Sequence, residues 1–303
     1  MIICCGESLI DMLPRESTLG EPSFAPHTGG AVFNTAVALG RLRAPSLFFG
    51  GLSHDLFGRM LADDLAASHV DFGYCPRSDH PTTLAFVTLK DGHASYAFYD
   101  ENTAGRLLME EHLPDLPDTV TTLFFGGISL VSEPCADTYA TLAQREADKR
   151  LIMIDPNIRP SFIRDQDRYR ARLDAMLAVA DVVKVSDEDL AWLTGSTDPA
   201  KLIEKGVRLV LMTRGAEGVL AVSAEGTLDM PAHKATVVDT VGAGDTFNAG
   251  MLAGLHQEGL NIKQAFREAP LDAFRPAIDL GMRAAAVTVS RAGANPPWAS
   301  ELA

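Results

Sequence analysis

The run DTVGAGDTFNAG occupies residues 239–250 of a chain of 303 residues. The small residues Gly242, Ala243 and Gly244 leave backbone N–H groups open to an anion, and the helix predicted after them adds the positive end of its dipole. A phosphate can bind at such a turn without a basic side chain. The run therefore predicts an anion site where a strand ending near Val238 passes into a helix.

Asp245 in this run has two interpretations. Aspartate is favoured as an N-cap, so the residue could simply begin the helix. Alternatively, its carboxylate could take the proton from a hydroxyl that attacks a bound phosphoryl group. The local sequence does not decide between the two. The chain contains neither GxxxxGK[ST] nor a GxGxxG after its first strand, which argues against the two commonest nucleotide-binding motifs.

Strand-like and helix-like runs alternate along most of the chain, from Ile2–Gly6 to a last short strand predicted at Thr236–Asp239. This rhythm predicts one domain, residues 1–303, with a mostly parallel sheet covered by helices on both faces. Ligands bind such sheets beyond the carboxyl ends of the strands. Asp155, Thr213 and Asp239 each follow a predicted strand, so we expect the site near them.

A second pattern interrupts this rhythm. Apolar residues alternate on both sides of Asp91-Gly92, a strong hairpin signal. We expect a small β-sheet, from about residues 12–28 and 82–104, that acts as a lid.

Bulk properties exclude several function classes. A net charge of −14 disfavours nucleic acid and anionic membranes as partners. The N-terminus lacks a basic leader, and no apolar run reaches the roughly 20 residues of a membrane span. The four cysteines form no CxxC motif and are expected to be small buried residues in a reducing compartment. We therefore expect a cytoplasmic location.

Two signatures resemble one family. DTVGAGDTFNAG and the distant run GGAVFNTA, residues 29–36, together resemble the ribokinase/PfkB family of carbohydrate kinases across essentially the whole chain. The resemblance implies a three-layer α/β/α sandwich with a β-sheet lid, and phosphoryl transfer from ATP with Mg²⁺. A non-catalytic sugar- or nucleotide-sensing module is the alternative from another class.

The resemblance assigns roles to individual residues. Asp245 would be the catalytic base, and Gly242, Ala243 and Gly244 the anion hole. The sugar would be bound by Asp11, Gly29, Gly30 and Asn34. Without the resemblance, Asn34 would be read as a helix cap and Asp11 as the end of a strand.

Further motifs resemble the family's cosubstrate elements. Arg159 in DPNIR would supply positive charge for the phosphates or the sugar, with a surface salt bridge as the alternative. KVSDED, residues 184–189, stands where many members have N-x-x-E. This resemblance implies that Lys184 and Ser186 bind ATP and that Asp189 binds Mg²⁺, directly or through water. An acid-rich helix N-terminus is the alternative here.

The remaining motifs lie nearer the C-terminus. Thr213, Gly215 and Gly218 resemble the family's T-x-G-x-x-G turn near the ATP phosphates, and Gly293 lies in a run that resembles the family's closing segment near the adenine pocket. By the same resemblance, Asp239 and Val241 would lie near a site for a monovalent cation such as K⁺.

The lid carries the information on the substrate. YAFYDENTAGR, residues 96–106, resembles the fructokinase branch, with Phe98 at the sugar. 2-Keto-3-deoxygluconate kinases usually have an arginine after an aromatic pair, where this chain has Asp100, an acid expected to repel an anionic sugar. We therefore expect a neutral hexose, with D-fructose preferred over 2-keto-3-deoxygluconate, ribose or a nucleoside. Apolar lid residues also suggest a homodimer through the lid.

Overall fold

The computed structural model describes residues 1–90 and 93–302. The strands are β1 (Ile2–Cys5), β2 (Leu9–Glu16), β3 (Pro22–Gly29), β4 (Ser46–Phe49), β5 (Leu52–Ser53), β6 (Arg77–Ser78), β7 (Leu84–Lys90), β8 (His93–Tyr99), β9 (Thr122–Gly126), β10 (Leu151–Asp155), β11 (Val182–Ser186), β12 (Leu209–Thr213), β13 (Val219–Ser223) and β14 (Gly226–Met230). The α-helices are α1 (Ala31–Arg41), α2 (Leu56–Ala67), α3 (Cys135–Glu146), α4 (Gln166–Leu177), α5 (Asp187–Thr194), α6 (Ala200–Ile203), α7 (Ala243–Gln257), α8 (Lys263–Glu268) and α9 (Arg275–Val289).

The main sheet has the strand order β14-β13-β12-β11-β10-β9-β1-β4. Every pair from β12 to β4 is parallel, and β13 and β14 extend the sheet as antiparallel strands. The parallel strands end along one edge, where the loops that follow them meet. The predicted mostly parallel sheet is confirmed.

Two hydrophobic layers cover the sheet. The side chains of each buried strand alternate between them. Cys4 belongs to the layer that contains α1, α2, α7, α8 and α9, and Cys5 belongs to the layer that contains α3, α4, α5 and α6. This arrangement is the predicted α/β/α sandwich. All four cysteines are buried free thiols. Among the helices of the described residues, none is long and apolar enough to cross a membrane.

Helices α7 and α9 pack backbone against backbone. A Cβ at Gly254 would overlap the Cα of Ala277, and a Cβ at Gly250 would lie 2.6 Å from the Cα of Gly281. These glycines therefore allow the close approach of α7 and α9. The packing fixes the N-terminus of α7, with Asp245 in its first turn, at the edge where the parallel strands end.

A separate four-stranded sheet has the order β3-β2-β7-β8, with β2 and β7 parallel and the other pairs antiparallel. Its strands come from both stretches for which we expected a lid. The predicted turn at Asp91-Gly92 lies outside the described residues. Whether this sheet moves as a lid stays a prediction.

The prediction of a strand at Thr236–Asp239 is wrong. Val237 and Val238 are 64% and 61% exposed. The N–H groups of Val238 and Asp239 both donate to the carbonyl of Val289, at 2.7 and 3.2 Å, and no strand lies beside them in the described chain. The β-branched residues favour an extended backbone, but the N–H groups of that backbone bond to the C-terminal end of α9 and not to a strand. Asp239 therefore does not follow a strand.

We predict that Gly254→Val lowers the free energy of unfolding by about 2–4 kcal/mol, because the added side chain must push α7 away from α9. Chemical denaturation monitored by circular dichroism measures the loss. Gln257→Val places the same side chain at an exposed position of the same helix, and its cost should stay below about 1 kcal/mol. Equal losses in the two variants would show that the close packing is unimportant.

Candidate active site

A cavity of about 340 Å³ opens where the parallel strands end. Side chains and backbone from the main sheet, from α1, from the first turn of α7 and from the small sheet form its walls. The lining residues are Glu7, Leu9, Asp11, Gly30, Ala31, Asn34, Phe98, Gly127, Ile128, Asn157, Arg159, Lys184, Thr240, Val241, Gly242, Gly244 and Asp245. The cavity thus collects the predicted base, most of the predicted anion hole and most of the predicted sugar-binding residues.

The turn before α7 has the geometry of an anion site. Gly242 is the N-cap at φ 75°, a left-handed conformation that favours glycine, and it provides no side-chain cap. In the described part of the chain, the N–H groups of Gly242, Gly244 and Asp245 donate to no acceptor. Gly242, Gly244 and Asp245 line the cavity, so these free donors and the positive end of the helix dipole lie at its wall, as an anion site requires. Ala243 belongs to the same turn but does not line the cavity.

Asp245 is not the N-cap of α7, because the helix begins two residues earlier, at Ala243. The N-cap interpretation of this residue is therefore wrong. Its side chain is 8% exposed, and its Oδ2 accepts a hydrogen bond of 2.9 Å from Nδ2 of Asn34. The hydroxyl of Thr35 donates to the Asp245 carbonyl at 3.2 Å. Two residues of α1 thus hold Asp245 at the cavity wall, Asn34 through the carboxyl group and Thr35 through the backbone.

Burial raises the pKa of Asp245 to about 7. The hydrogen bond from Asn34 and the positive charge of Lys184 oppose this rise, whereas the negative charge of Asp155 adds to it. A carboxylate with a pKa near neutrality is a stronger base than an ordinary aspartate and is still largely ionised at slightly alkaline pH. Asp245 is therefore suited to accept a proton from a bound hydroxyl.

The predicted sugar-binding residues come from β2, β3 and the start of α1; Asp11, Gly30 and Asn34 line the cavity, whereas Gly29 does not. Asp11 lies inside β2 and does not end a strand, and burial raises its pKa to about 6. Gly29 faces it so closely that a Cβ there would overlap Oδ2 of Asp11. Gly30, at φ 105°, is the N-cap of α1. Asn34 is the fourth residue of α1, so it does not cap the helix and its amide reaches Asp245.

A buried polar group lies beneath the anion turn. Oδ2 of Asp155 accepts hydrogen bonds from Nζ of Lys184 at 3.1 Å and from Nδ2 of Asn248 at 2.7 Å. A Cβ at Gly244 would lie 3.1 Å from the same Nζ, so the ammonium group sits directly under the turn. Burial alone would lower the pKa of Lys184, but Asp155 raises it. The amine therefore remains a cation beside the expected phosphate.

Three buried polar residues of the site had no function predicted from the sequence: Asp155, Asn248 and Glu7. Asp155 ends β10, and a carboxylate at the end of a strand could have indicated a site residue. Asn248 lies one turn after Gly244 on α7, and an amide on the same helix face could have indicated the same. Glu7 follows β1 in the same way. Its carboxylate lines the cavity although the residue is only 9% exposed.

Arg159 lines the cavity and forms no ion pair within the described residues, and its only side-chain hydrogen bond goes to the carbonyl of Ile158 at 3.1 Å. The salt-bridge alternative for this residue is therefore wrong. Phe98 also reaches the cavity, and its ring packs edge-on against Phe162 with the centroids 4.9 Å apart. Phe98 separates this cavity from a neighbouring one of about 570 Å³.

Asp100 does not lie where the substrate argument placed it. The residue is 7% exposed and lines the neighbouring cavity, not the one that contains Asp245. Its carboxylate accepts hydrogen bonds from Ser132 at 2.7 Å and Thr83 at 2.9 Å and lies 3.7 Å from Arg106. With its charge compensated there, Asp100 gives no reason to exclude an anionic sugar.

Ser186 and Asp189 form a capping box at the start of α5. Oδ1 of Asp189 also accepts from the N–H of Ile158 at 2.9 Å, so both carboxylate oxygens serve the backbone. Burial, and then the charge of Asp155, raises the pKa of Asp189. No cluster of three or more metal-binding side chains occurs among residues 1–90 and 93–302. These residues fit an indirect contact to a metal through water better than direct ligation.

The other predicted ATP residues lie along the same edge but outside the cavity lining. Thr213 ends β12 beside Ser186, and Gly215 and Gly218 form the turn into β13 with φ 54° and 101°. The carboxylate of Asp239 joins two loops, because it accepts hydrogen bonds from the N–H groups of Val241 at 3.0 Å and Gly293 at 2.9 Å. The structure therefore brings the expected cation residues Asp239 and Val241 together with Gly293.

Comparisons with known proteins agree with this geometry. A fructokinase from Rhizobium leguminosarum bv. trifolii is 52% identical over 268 residues, which cover 87% of this chain and 82% of the relative. The probable fructokinase-7 of Arabidopsis thaliana is 33% identical over 315 residues, covering 99% of this chain and 90% of the relative.

The fold agrees as well. The crystal structure of a fructokinase with bound ATP from Xylella fastidiosa superposes with a TM-score of 0.91 at 30% identity, covering 99% of this chain and 96% of the other. The model of the pfkB family carbohydrate kinases matches residues 1–301. The anion turn before α7, the buried Asp245 and these matches together show that the chain belongs to the pfkB family of carbohydrate kinases.

Proposed function

We propose that the protein is a fructokinase, which transfers the γ-phosphoryl group of ATP to the 6-hydroxyl of D-fructose. The observation that carries the proposal is the position of Asp245. Its buried carboxyl group, with a pKa of about 7, lies in one cavity with the free N–H groups of the α7 turn. The curated relatives named as fructokinases support the choice of sugar.

Each wall of the cavity has a task in the proposed reaction. Asp11, Gly30 and Asn34 bind sugar hydroxyls, with the carboxylate accepting and the amide both donating and accepting hydrogen bonds. Asp245 removes the proton of the attacking 6-hydroxyl. The N–H groups of Gly242 and Gly244, with the Lys184 ammonium beneath them, stabilise negative charge on the transferred phosphoryl group.

Magnesium enters this scheme with ATP. Mg²⁺ usually retains several waters and binds phosphate oxygens with few protein carboxylates. Asp189 would therefore contact it through water, and bound Mg²⁺ would neutralise phosphate charge. We further propose that Asp239, Val241 and Gly293 form the edge of a site for K⁺.

The small sheet is proposed to close over the sugar and exclude water, since Phe98 on β8 reaches the cavity wall. Phe24 and Tyr99 expose 42% and 62% of their surface on this sheet, which supports a homodimer formed through it. The four buried free thiols fit the reducing cytoplasm.

One observation favours a second candidate. Arg159 is a cation of the cavity wall without an ion pair among the described residues, and a carboxylate on the sugar would pair with it. A 2-keto-3-deoxygluconate kinase is therefore the second candidate function.

A coupled assay of ADP release over several acceptors tests the proposed function. We expect kcat/KM for fructose to exceed that for ribose, adenosine, fructose 1-phosphate and 2-keto-3-deoxygluconate by at least about 100-fold, which corresponds to nearly 3 kcal/mol. A preference for 2-keto-3-deoxygluconate would establish the second candidate. Sugar binding without ADP release from any acceptor would indicate a sensing protein instead.

The pH dependence tests the base. Because the protonated acid cannot accept a proton, a raised pKa moves the loss of activity to higher pH: kcat should fall about tenfold for each pH unit below roughly pH 7 and level off above it. Asp11→Asn removes a second carboxyl group of the cavity, whose pKa burial raises to about 6. At saturating fructose, kcat of this variant should fall below roughly pH 7 as in the wild type. If the fall disappears, the titrating group is Asp11 and not Asp245.

A further inference from the structure

Glu7 is a buried carboxylate that the proposed reaction does not use. It is 9% exposed, lines the cavity and forms no ion pair with a lysine or arginine of the described chain. A buried carboxylate without a counter-charge is unfavourable unless hydrogen bonds compensate it. The partners that provide these hydrogen bonds therefore indicate what Glu7 does.

The hydrogen bonds of Glu7 join two separate walls of the cavity. Its Oε1 accepts from the N–H of Ala31, the first residue of α1, at 3.0 Å, and its Oε2 accepts from the N–H of Ser129 at 3.2 Å. Its own carbonyl accepts from the N–H of Phe33 at 3.2 Å. Ala31 lines the cavity on one side, and the turn Gly127–Leu130, which contains Ser129, lines it on the other through Gly127 and Ile128.

The chain leaves space for this side chain at two glycines. Gly127 has φ 67°, and a Cβ there would overlap the Glu7 carboxylate. Gly30 has φ 105°, and a Cβ there would lie 3.0 Å from the Glu7 carbonyl oxygen. Both walls are therefore shaped around Glu7.

We propose that Glu7 is a positioning residue for the sugar, holding the N-terminus of α1 and the Gly127–Leu130 turn at the separation that the sugar requires. The inference rests on the proposed function. Asn34 follows one turn after Gly30, whose carbonyl accepts from the Asn34 N–H at 2.8 Å. Holding the start of α1 therefore also holds the amide that binds Asp245. Among the described residues, no hydrogen bond or ion pair joins Glu7 to residues 182–293, which contain the ATP side of the site, and only the charge of Glu7 reaches Asp245 there.

Glu7→Gln tests the proposal in the full-length protein. The amide can accept only one of the two N–H donors, so one wall is released, and we expect KM for fructose to rise at least about tenfold while KM for ATP stays within about twofold. Because burial raises the pKa of Glu7, loss of the charge offsets part of the lost hydrogen bond, and Tm should change by no more than about 3 °C.

Glu146→Gln is the matched control. Glu146 is another buried glutamate, 7% exposed, but it pairs with Arg145 and Arg150 far from the cavity. This variant should lower Tm and leave both KM values unchanged. An equal rise of both KM values in Glu7→Gln, together with a loss of Tm like that of the control, would show a merely structural role and overturn the proposal.

Gly127→Ala provides a second measurement that leaves Glu7 in the chain. Its methyl group must displace the Glu7 carboxylate, so we again expect a selective rise in KM for fructose. The strain of an alanine at φ 67° is common to the wild-type and Glu7→Ala backgrounds, so in Glu7→Ala the same substitution should raise KM far less, because no carboxylate remains to displace. An unchanged KM for fructose in both Glu7→Gln and Gly127→Ala would refute the proposal. If the wild type phosphorylates another sugar, the same comparisons apply to that sugar, so failure of the proposed function remains distinguishable.

Discussion

The hydrogen bond between Asn34 and Asp245 is the contact on which the site depends. It joins residues 211 positions apart, each in the first turns of a helix that starts at the carboxyl edge of the main sheet. The bond requires α1 and α7 to lie side by side, which the glycine contacts of α7 with α9 allow. It also keeps a buried aspartate partly ionised near neutral pH. The Asn34 amide thus links the packing of α1 against α7 to the ionisation of Asp245.

The charge distribution explains how an acidic protein can bind ATP. The chain carries a net charge of −14, and Glu7, Asp11 and Asp245 line the cavity. Attraction for phosphate must therefore be local. In the proposed reaction it would come from the free N–H groups of the α7 turn, from Lys184, whose charge is maintained by Asp155, and from Arg159 in the cavity wall. In the same proposal, Asp11 accepts hydrogen bonds from a neutral, hydroxyl-rich sugar, and Asp245 lies between that sugar and the anion turn.

Much of the fold could be predicted from the sequence, because buried parallel strands and amphipathic helices follow simple periods. The prediction of a strand at Thr236–Asp239 was wrong because β-branched residues favour an extended backbone whether or not a partner strand is present. The tertiary contacts of the site were less accessible. The sequence motif indicated a role for Asp245, but its helix position and its bond to Asn34 depend on packing. Asp100 was misplaced because strand alternation does not reveal which cavity a side chain at the end of β8 enters.

The most direct test of the account is the turnover of Asp245→Asn. If Asp245 is the base, this isosteric change should lower kcat by about 10³-fold or more at every pH, remove the acid limb near neutrality and leave the Kd for fructose within a few-fold of wild type. Calorimetric titration with fructose and an ADP-release assay measure the two quantities on the same preparation. Near-normal kcat in a variant that still binds fructose would contradict the account.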